Sequence, residues 1–197
     1  PFRYTTVTPK GIKFVPLDMD REFTPAQILR EHPKGIEYAR LLHDFSRYPL
    51  IIDSQKEVLS MPPIINGQLT RVTEDTRRLF IESTGTDELA LNQALTILMT
   101  GFAERGFKLG SITIKYPNRR VRVPQLKVAR RKLNIRTANE TIGINLKPSE
   151  IASIMKRMRL GVAGAKGDFV TLLVPPYRTD IMHEVDLIED LAIGYGY

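Results

Sequence analysis

The sequence contains no cysteine and no tryptophan among its 197 residues. Without cysteine, a chain has no disulfide, no thiolate zinc ribbon, no iron–sulfur cluster and no thiol nucleophile. Such a composition suits a reducing compartment, so we expect a cytoplasmic protein. No apolar run approaches the length of a membrane span and no signal peptide is visible, so we expect no membrane partner.

Acidic residues are missing from one long internal stretch. Between Arg105 and Asn139 there are eleven Lys and Arg and no Asp or Glu, and the whole chain has a formal net charge of +7. Such a block suits contact with a phosphate backbone, although an exposed linker or wing has the same composition. The candidates for docking a nucleic acid or another partner through phosphates, without base readout, are Arg119, Arg120, Arg130 and Arg131.

Residues 1–116 are predicted to form one α+β domain with a mixed sheet. Thr24 followed by Pro25 indicates a helix start, because threonine caps the first turn and proline fits its first position. The segments YPLIID and EVLSMPPIING flank a short turn, which predicts a β-hairpin. Further strands are expected at 11–17 and 78–83.

A long helix is predicted over 87–105. It follows the turn sequence TGTD and ends at a glycine, which often terminates helices. Its apolar residues recur at helical spacing, so we expect one buried face. That face consists of Leu91, Leu95, Leu98 and Phe102.

Residues 117–197 are predicted to form a second, smaller domain. A basic crossover at 117–124 leads to QLKVARRKL, a strand or a short helix. A short helix and a longer one starting at Pro148 follow, and a glycine-rich turn then joins two short strands. Together with a final helix, these elements have a winged-helix-like outline.

The final helix is predicted from Val185 onward and carries most of the acids of the C-terminal segment. Those at i, i+3 and i+4 lie close together on a helix, and one more acid comes just before it. Oxygen ligands favour Mg²⁺ over zinc, whereas the alternative is a solvated acidic face. The candidate metal ligands are Asp180, Asp186, Glu189 and Asp190.

Several segments resemble the β-subunit family of phenylalanine–tRNA ligase in its archaeal and eukaryotic form. They are PLDMDREFTPAQILREHPKG, EYARLL, YPLIID, VLSMPPIING, LFIESTGTD, and PPYRTDI followed by VDLIEDLAIGYGY. The resemblance implies that 1–116 is an editing domain, which hydrolyses tyrosine wrongly attached to the phenylalanine tRNA. It also implies that the chain is a piece of a longer one and begins inside that domain.

The same resemblance implies partners and cofactors. The partners are tRNA and an α subunit, assembled with β subunits into a heterotetramer. ATP is used by the full enzyme at a site on the α subunit and is not bound by this segment. Mg²⁺ is expected at the four C-terminal acids.

An editing pocket is expected around LFIESTGTD. On a strand, Glu82 and Thr84 would face the same side, and a carboxylate beside a hydroxyl suits a pocket for a phenol. The alternative is that Thr84 only starts a turn while Glu82 forms a surface ion pair. The resemblance implies a pocket made by Leu50, Ser60, Glu82 and Thr84.

A second interpretation of the whole chain is a non-catalytic, winged-helix nucleic-acid-binding module with a basic arm. A pocket lined by the four predicted residues would favour the enzyme. A filled core at that place would favour the binding module.

Overall fold

The computed structural model describes residues 1–196, so Tyr197, the end of the predicted second domain, lies outside the described part. The chain divides into two compact units, Pro1–Thr86 and Asp87–Tyr197. The α+β class is confirmed. The division between the units precedes the predicted boundary at 116/117, which stays a prediction that limited proteolysis would test.

The first unit is built on a four-stranded sheet. Its strands β1 (Arg3–Val7), β2 (Tyr48–Ile52), β3 (Val58–Met61) and β4 (Ile65–Asn66) lie in the order β1-β2-β3-β4. The predicted hairpin is confirmed as β2 and β3, whereas β1 was not predicted. Each pairing in this sheet is antiparallel, where mixed pairing was expected.

Two short helices complete the first unit. Thr24 caps α1 (Pro25–Glu31) as predicted. The Nδ1 atom of the buried His32 accepts a hydrogen bond from the backbone of Lys34 at 3.1 Å and so caps α2 (Pro33–Tyr38). The apolar core of the unit consists of Phe14, Phe23, Ile28, Leu42, Leu50, Val58, Met61 and Ile64.

The strands predicted at 11–17 and 78–83 are not formed. The first of these segments makes only isolated bridges, Phe14 with Phe23 and Pro16 with Gly67. The second has no strand pairing in the described structure. An apolar pattern alone does not make a strand, because the backbone also needs a neighbour to complete its hydrogen bonds.

The second unit begins with a long helix, α3 (Glu88–Glu104), which Asp87 caps as expected. Its predicted buried face is only partly covered: Leu91, Leu95 and Phe102 are half-buried and Leu98 is exposed, whereas Thr96 is the only fully buried residue of this helix. Helical spacing shows which face is apolar, but it does not show that another element covers it. None of the helices within residues 1–196 is long and apolar enough to cross a membrane.

A two-stranded hairpin follows α3. Strand β5 (Ile112–Lys115) confirms the strand expected there, and β6 (Arg120–Val123) replaces the predicted basic crossover. The alternation of RVRV is typical of a strand with two unlike faces, and this signal was present in the sequence.

The remaining elements form the winged-helix-like part, with sheet order β7-β9-β8 and antiparallel pairing. The segment QLKVARRKL at 125–133, for which a strand or a short helix was expected, is a strand from Ala129 onward. Apolar residues from both layers pack between the sheet and the helices. The elements are β7 (Ala129–Asn134), α4 (Ile135–Ile142), α5 (Pro148–Arg157), β8 (Gly161–Lys166), β9 (Phe169–Val174) and α6 (Glu184–Tyr195).

Candidate functional site

One row of side chains crosses the four-stranded sheet of the first unit. Tyr4 pairs with Ile51, Ile51 with Ser60, and Ser60 with Asn66. Directly opposed residues of antiparallel strands lie on the same face of a sheet. Ile51 and Ser60 are buried, so this row has a covered centre.

Leu50 does not belong to this row. It is paired with Thr5 and is a member of the apolar core, with 1% of its surface exposed. Neighbouring strand residues point to opposite faces, so the residue that shares a face with Ser60 is Ile51. The register of this hairpin is irregular between Ile51 and Ile52, so the sequence alone did not identify Ile51.

The segment that carries Glu82 lies close to the first strand. Phe80 stacks on Phe2 with ring centroids 4.3 Å apart. Burial first, and the Glu82 carboxylate second, raise the pKa of the Tyr4 phenol above its ordinary value. The Glu82 carboxylate is therefore within electrostatic reach of the Tyr4 phenol, although Tyr4 is 61% exposed. Tyr4 was not among the predicted residues, although RYTTV is rich in the β-branched and aromatic residues typical of strands.

The carboxylate of Glu82 has an unusual environment. Its Oε1 atom is buried and has no hydrogen-bond partner among residues 1–196. A buried acceptor without a donor costs free energy, and a ligand that supplies the donor removes that cost. The arrangement can therefore accept a hydrogen bond from a hydroxyl group.

The strand that would have aligned Thr84 with Glu82 is not formed, and Thr84 is exposed. Glu82 is in electrostatic reach of Tyr4, which begins the row that contains Ser60, whereas Leu50 lies on the opposite face of the sheet.

Arg178 lies among the C-terminal acids. Its Nη2 atom donates to Oδ2 of Asp180 at 2.7 Å and to Oδ2 of Asp190 at 2.9 Å. The side chains of Arg178 and Asp190 are only 19% and 10% exposed, whereas that of Asp180 is 62% exposed. The Arg178 hydrogen bond lowers the pKa of Asp180 below its ordinary value. The cation expected beside these acids is therefore supplied by the protein itself.

The other two acids have separate environments. Oδ2 of Asp186 accepts hydrogen bonds from the backbone N–H groups of His183 at 2.6 Å and Met182 at 2.8 Å, at the start of α6. These bonds lower the pKa of Asp186. Glu189 is exposed.

As placed, these acids do not fit a Mg²⁺ site. Within residues 1–196, no group of three or more His, Cys, Asp or Glu side chains could hold a metal ion. Magnesium demands a near-octahedral set of oxygens, and two of the four acids, Asp180 and Asp190, are bound to Arg178. The predicted ion would have to displace the guanidinium, so this site stays a prediction.

The structure separates the four arginines proposed for phosphate contact. Arg119 and Arg120 lie on the β5–β6 hairpin, and Arg119 is paired with Glu88 at 2.7 Å. Arg130 and Arg131 are neighbours in β7 and therefore point to opposite faces of its sheet. Because Glu88 already compensates the charge of Arg119, we no longer expect a phosphate contact there. A docking role for Arg120, Arg130 and Arg131 remains a prediction.

Comparison with protein families divides the chain in two. Residues 7–105 match the B3/4 domain, and residues 131–197 match the tRNA synthetase B5 domain. The two matches enclose a stretch, 106–130, that neither includes.

Similar proteins cover the whole chain. It is 46% identical over 197 residues to the phenylalanine–tRNA ligase β subunit of Methanothrix thermoacetophila, and 45% identical to that of Archaeoglobus fulgidus. Both alignments include 100% of the chain but only 36% of the relative.

A solved structure is also similar: an N-terminal fragment of the phenylalanyl-tRNA synthetase β subunit from Pyrococcus horikoshii. It is 35% identical with a TM-score of 0.92, and the match covers 100% of the chain and 56% of that structure. The similarity therefore extends from sequence to fold over the full length of the chain.

Proposed function

Because the chain belongs to the β-subunit family of phenylalanine–tRNA ligase, we propose that it carries an editing site that hydrolyses tyrosyl-tRNA. The complete cytoplasmic enzyme uses ATP and Mg²⁺ to attach phenylalanine to its tRNA, with the synthetic site on an α subunit. The observation that carries the editing proposal is the buried, unpartnered Oε1 atom of Glu82.

An enzyme that selects phenylalanine needs a second check. Tyrosine is phenylalanine plus one hydroxyl, and an apolar pocket rejects such an isostere only about a hundredfold. A site that recognises the hydroxyl positively solves this problem. A buried acceptor left unpaired by phenylalanine costs about 1–3 kcal/mol, which corresponds to about 5- to 150-fold discrimination.

Glu82 is the acceptor in this scheme. Its neighbour Tyr4 supports the assignment, because a phenol already lies within electrostatic reach of the Glu82 carboxylate. Ile51, in place of Leu50, packs against the ring of the bound tyrosine. Ser60 lies in the same row and hydrogen-bonds near the ester.

Water is the nucleophile. Its oxygen adds to the ester carbonyl carbon, the bond to the ribose oxygen breaks, and the ribose oxygen takes up the proton that the water loses as tyrosine leaves. The site and the terminal ribose hydroxyl of the tRNA position this water, and no side-chain nucleophile is involved. Thr84 binds the polar end of the ring or the water, which requires it to approach Glu82 in the substrate complex.

The test is deacylation by the complete β subunit carrying Glu82→Gln or Glu82→Ala. We expect Glu82→Ala to lose the preference for tyrosyl-tRNA over phenylalanyl-tRNA. Glu82→Gln should retain part of it, because the amide oxygen still accepts a hydrogen bond. The circular dichroism of both variants should stay that of the wild type. Glu57→Gln is the matched control, because Glu57 is an exposed acid next to the same sheet. If the Glu82 variants clear tyrosyl-tRNA as fast as the wild type, the proposal is wrong.

A further inference from the structure

The β5–β6 hairpin has one basic and one apolar face. Lys115 is directly opposite Arg120, and Thr113 is opposite Arg122. The other two opposed pairs, formed by isoleucine and valine, occupy the reverse face. Lys115, Arg120 and Arg122 are all exposed.

The cations of the basic face have no acidic partner. Within residues 1–196, no carboxylate forms a salt bridge with Lys115, Arg120 or Arg122. Arg122 donates to the neutral hydroxyl of Ser111 at 2.8 Å and so keeps its full charge. Like charges directly opposite each other destabilise a sheet, and a two-stranded hairpin is only marginally stable in water.

Arg119, at the turn of the same hairpin, has a different environment. It pairs with Glu88 at 2.7 Å, and its guanidinium lies 4.7 Å from the centre of the Tyr116 ring. The charge of Arg119 is thus already compensated, and its guanidinium covers one face of the Tyr116 ring, which is 41% exposed. The cations of the hairpin that lack an acidic partner therefore lie on its strand surface and not at its turn.

These observations fit a polyanion whose charges are regularly spaced and whose sequence is not read. We propose that the basic face of the β5–β6 hairpin, formed by Thr113, Lys115, Arg120 and Arg122, docks the sugar–phosphate backbone of tRNA. The identity of the nucleic acid rests on the proposed function. Docked phosphates offset the repulsion between Lys115 and Arg120, so a pairing that is unfavourable in the free protein becomes favourable in the complex.

This mechanism predicts opposite effects on binding and stability. Arg120→Gln removes a phosphate contact and also removes the repulsion from Lys115. We therefore expect weaker tRNA binding together with slower hydrogen exchange at the hairpin amides, a combination that a merely destabilising substitution does not produce.

The experiment measures the affinity of the complete β subunit for an uncharged phenylalanine tRNA transcript over a series of salt concentrations. The slope of log affinity against log salt should fall by about one for Arg120→Gln and about two for Arg120→Gln with Arg122→Gln. Arg119→Gln is the control, because it removes the same charge from the same hairpin and should leave the slope unchanged. Arg120→Lys should keep the wild-type slope.

Three results would overturn the proposal. Equal slope changes in the Arg119 and Arg120 variants would show a general charge effect, and unchanged slopes would show that the face does not bind. If Arg120→Gln weakened the binding of polyglutamate as much as that of tRNA, the partner would be an acidic protein. Uncharged tRNA is used, so the outcome is independent of deacylation and of Glu82.

Discussion

Arg178 should be the residue on which the stability of the second unit depends most strongly among its charged side chains. Its guanidinium joins the loop after β9 to α6 by binding Asp180 and Asp190 together. Arg178→Met keeps much of the side-chain length but removes the cation. The variant leaves the Asp190 carboxylate, only 10% exposed, without its partner.

The magnitude follows from the burial of each partner. Removing one partner of a buried ion pair costs about 3–5 kcal/mol, because the remaining charge is uncompensated. An exposed pair contributes only about 0–1 kcal/mol. We therefore expect the large value for Arg178→Met and the small one for Asp180→Asn, since Asp180 is 62% exposed.

Hydrogen exchange at the amides of Leu187 and Leu191, which are buried in α6, is a suitable assay. A loss of about 3 kcal/mol accelerates exchange through unfolding by more than about a hundredfold, since about 1.4 kcal/mol is a factor of ten. The double variant Arg178→Met with Asp190→Asn should recover part of the loss, because no buried charge remains.

Two outcomes would refute this reasoning. Exchange in Arg178→Met that matches Asp180→Asn would show that the buried pair contributes no more than the exposed one. A double variant no more stable than Arg178→Met would show that the unpaired carboxylate is not the cause.

Three further predictions concern the acids and the sheet. Arg178 and backbone hydrogen bonds lower the pKa values of Asp180 and Asp186 below the ordinary 3.8, so their contribution to stability is present above that value. It should be lost as the pH falls through the lowered values, as measured by hydrogen exchange in a series of acidic buffers. In NMR titrations, Mg²⁺ should shift the α6 amide signals more in Arg178→Lys than in the wild type, because the wild-type guanidinium competes for the carboxylates. If neither protein shows a shift, even with the α subunit present, the acid cluster is purely structural. Leu50→Ala should cost about 2–5 kcal/mol of stability and keep the editing preference, whereas Ile51→Ala should reduce that preference among the molecules that stay folded.

Local signals in the sequence predicted the elements that depend on local chemistry. Thr24 with Pro25 located α1, Asp87 located α3, and Pro148 located α5, because a cap satisfies backbone groups within one turn. Elements that depend on a distant neighbour were predicted less well. The segment 78–83 was predicted to be a strand but is not one, since no other strand pairs with it in the described structure.

The candidate sites show the same limit. The predicted pocket of Leu50, Ser60, Glu82 and Thr84 stays a prediction. The pairing of Ile51 with Ser60, which the structure provides, places Ile51 and not Leu50 on the face of Ser60. The sequence also predicted a cation, Mg²⁺, beside the clustered acids. Arg178 was not considered, although it lies two residues before Asp180 and donates a hydrogen bond to it.

The central claim is that the buried Oε1 atom of Glu82 recognises the tyrosine hydroxyl by accepting its hydrogen bond. The most direct measurement compares deacylation by the wild-type β subunit of phenylalanine tRNA charged with tyrosine, phenylalanine or 4-fluorophenylalanine. The fluorine atom is close in size to a hydroxyl group but has no proton to donate. The account predicts rapid hydrolysis of the tyrosyl ester alone, with the 4-fluorophenylalanyl ester as slow as the phenylalanyl ester. Hydrolysis of the 4-fluorophenylalanyl ester as fast as that of the tyrosyl ester would contradict it.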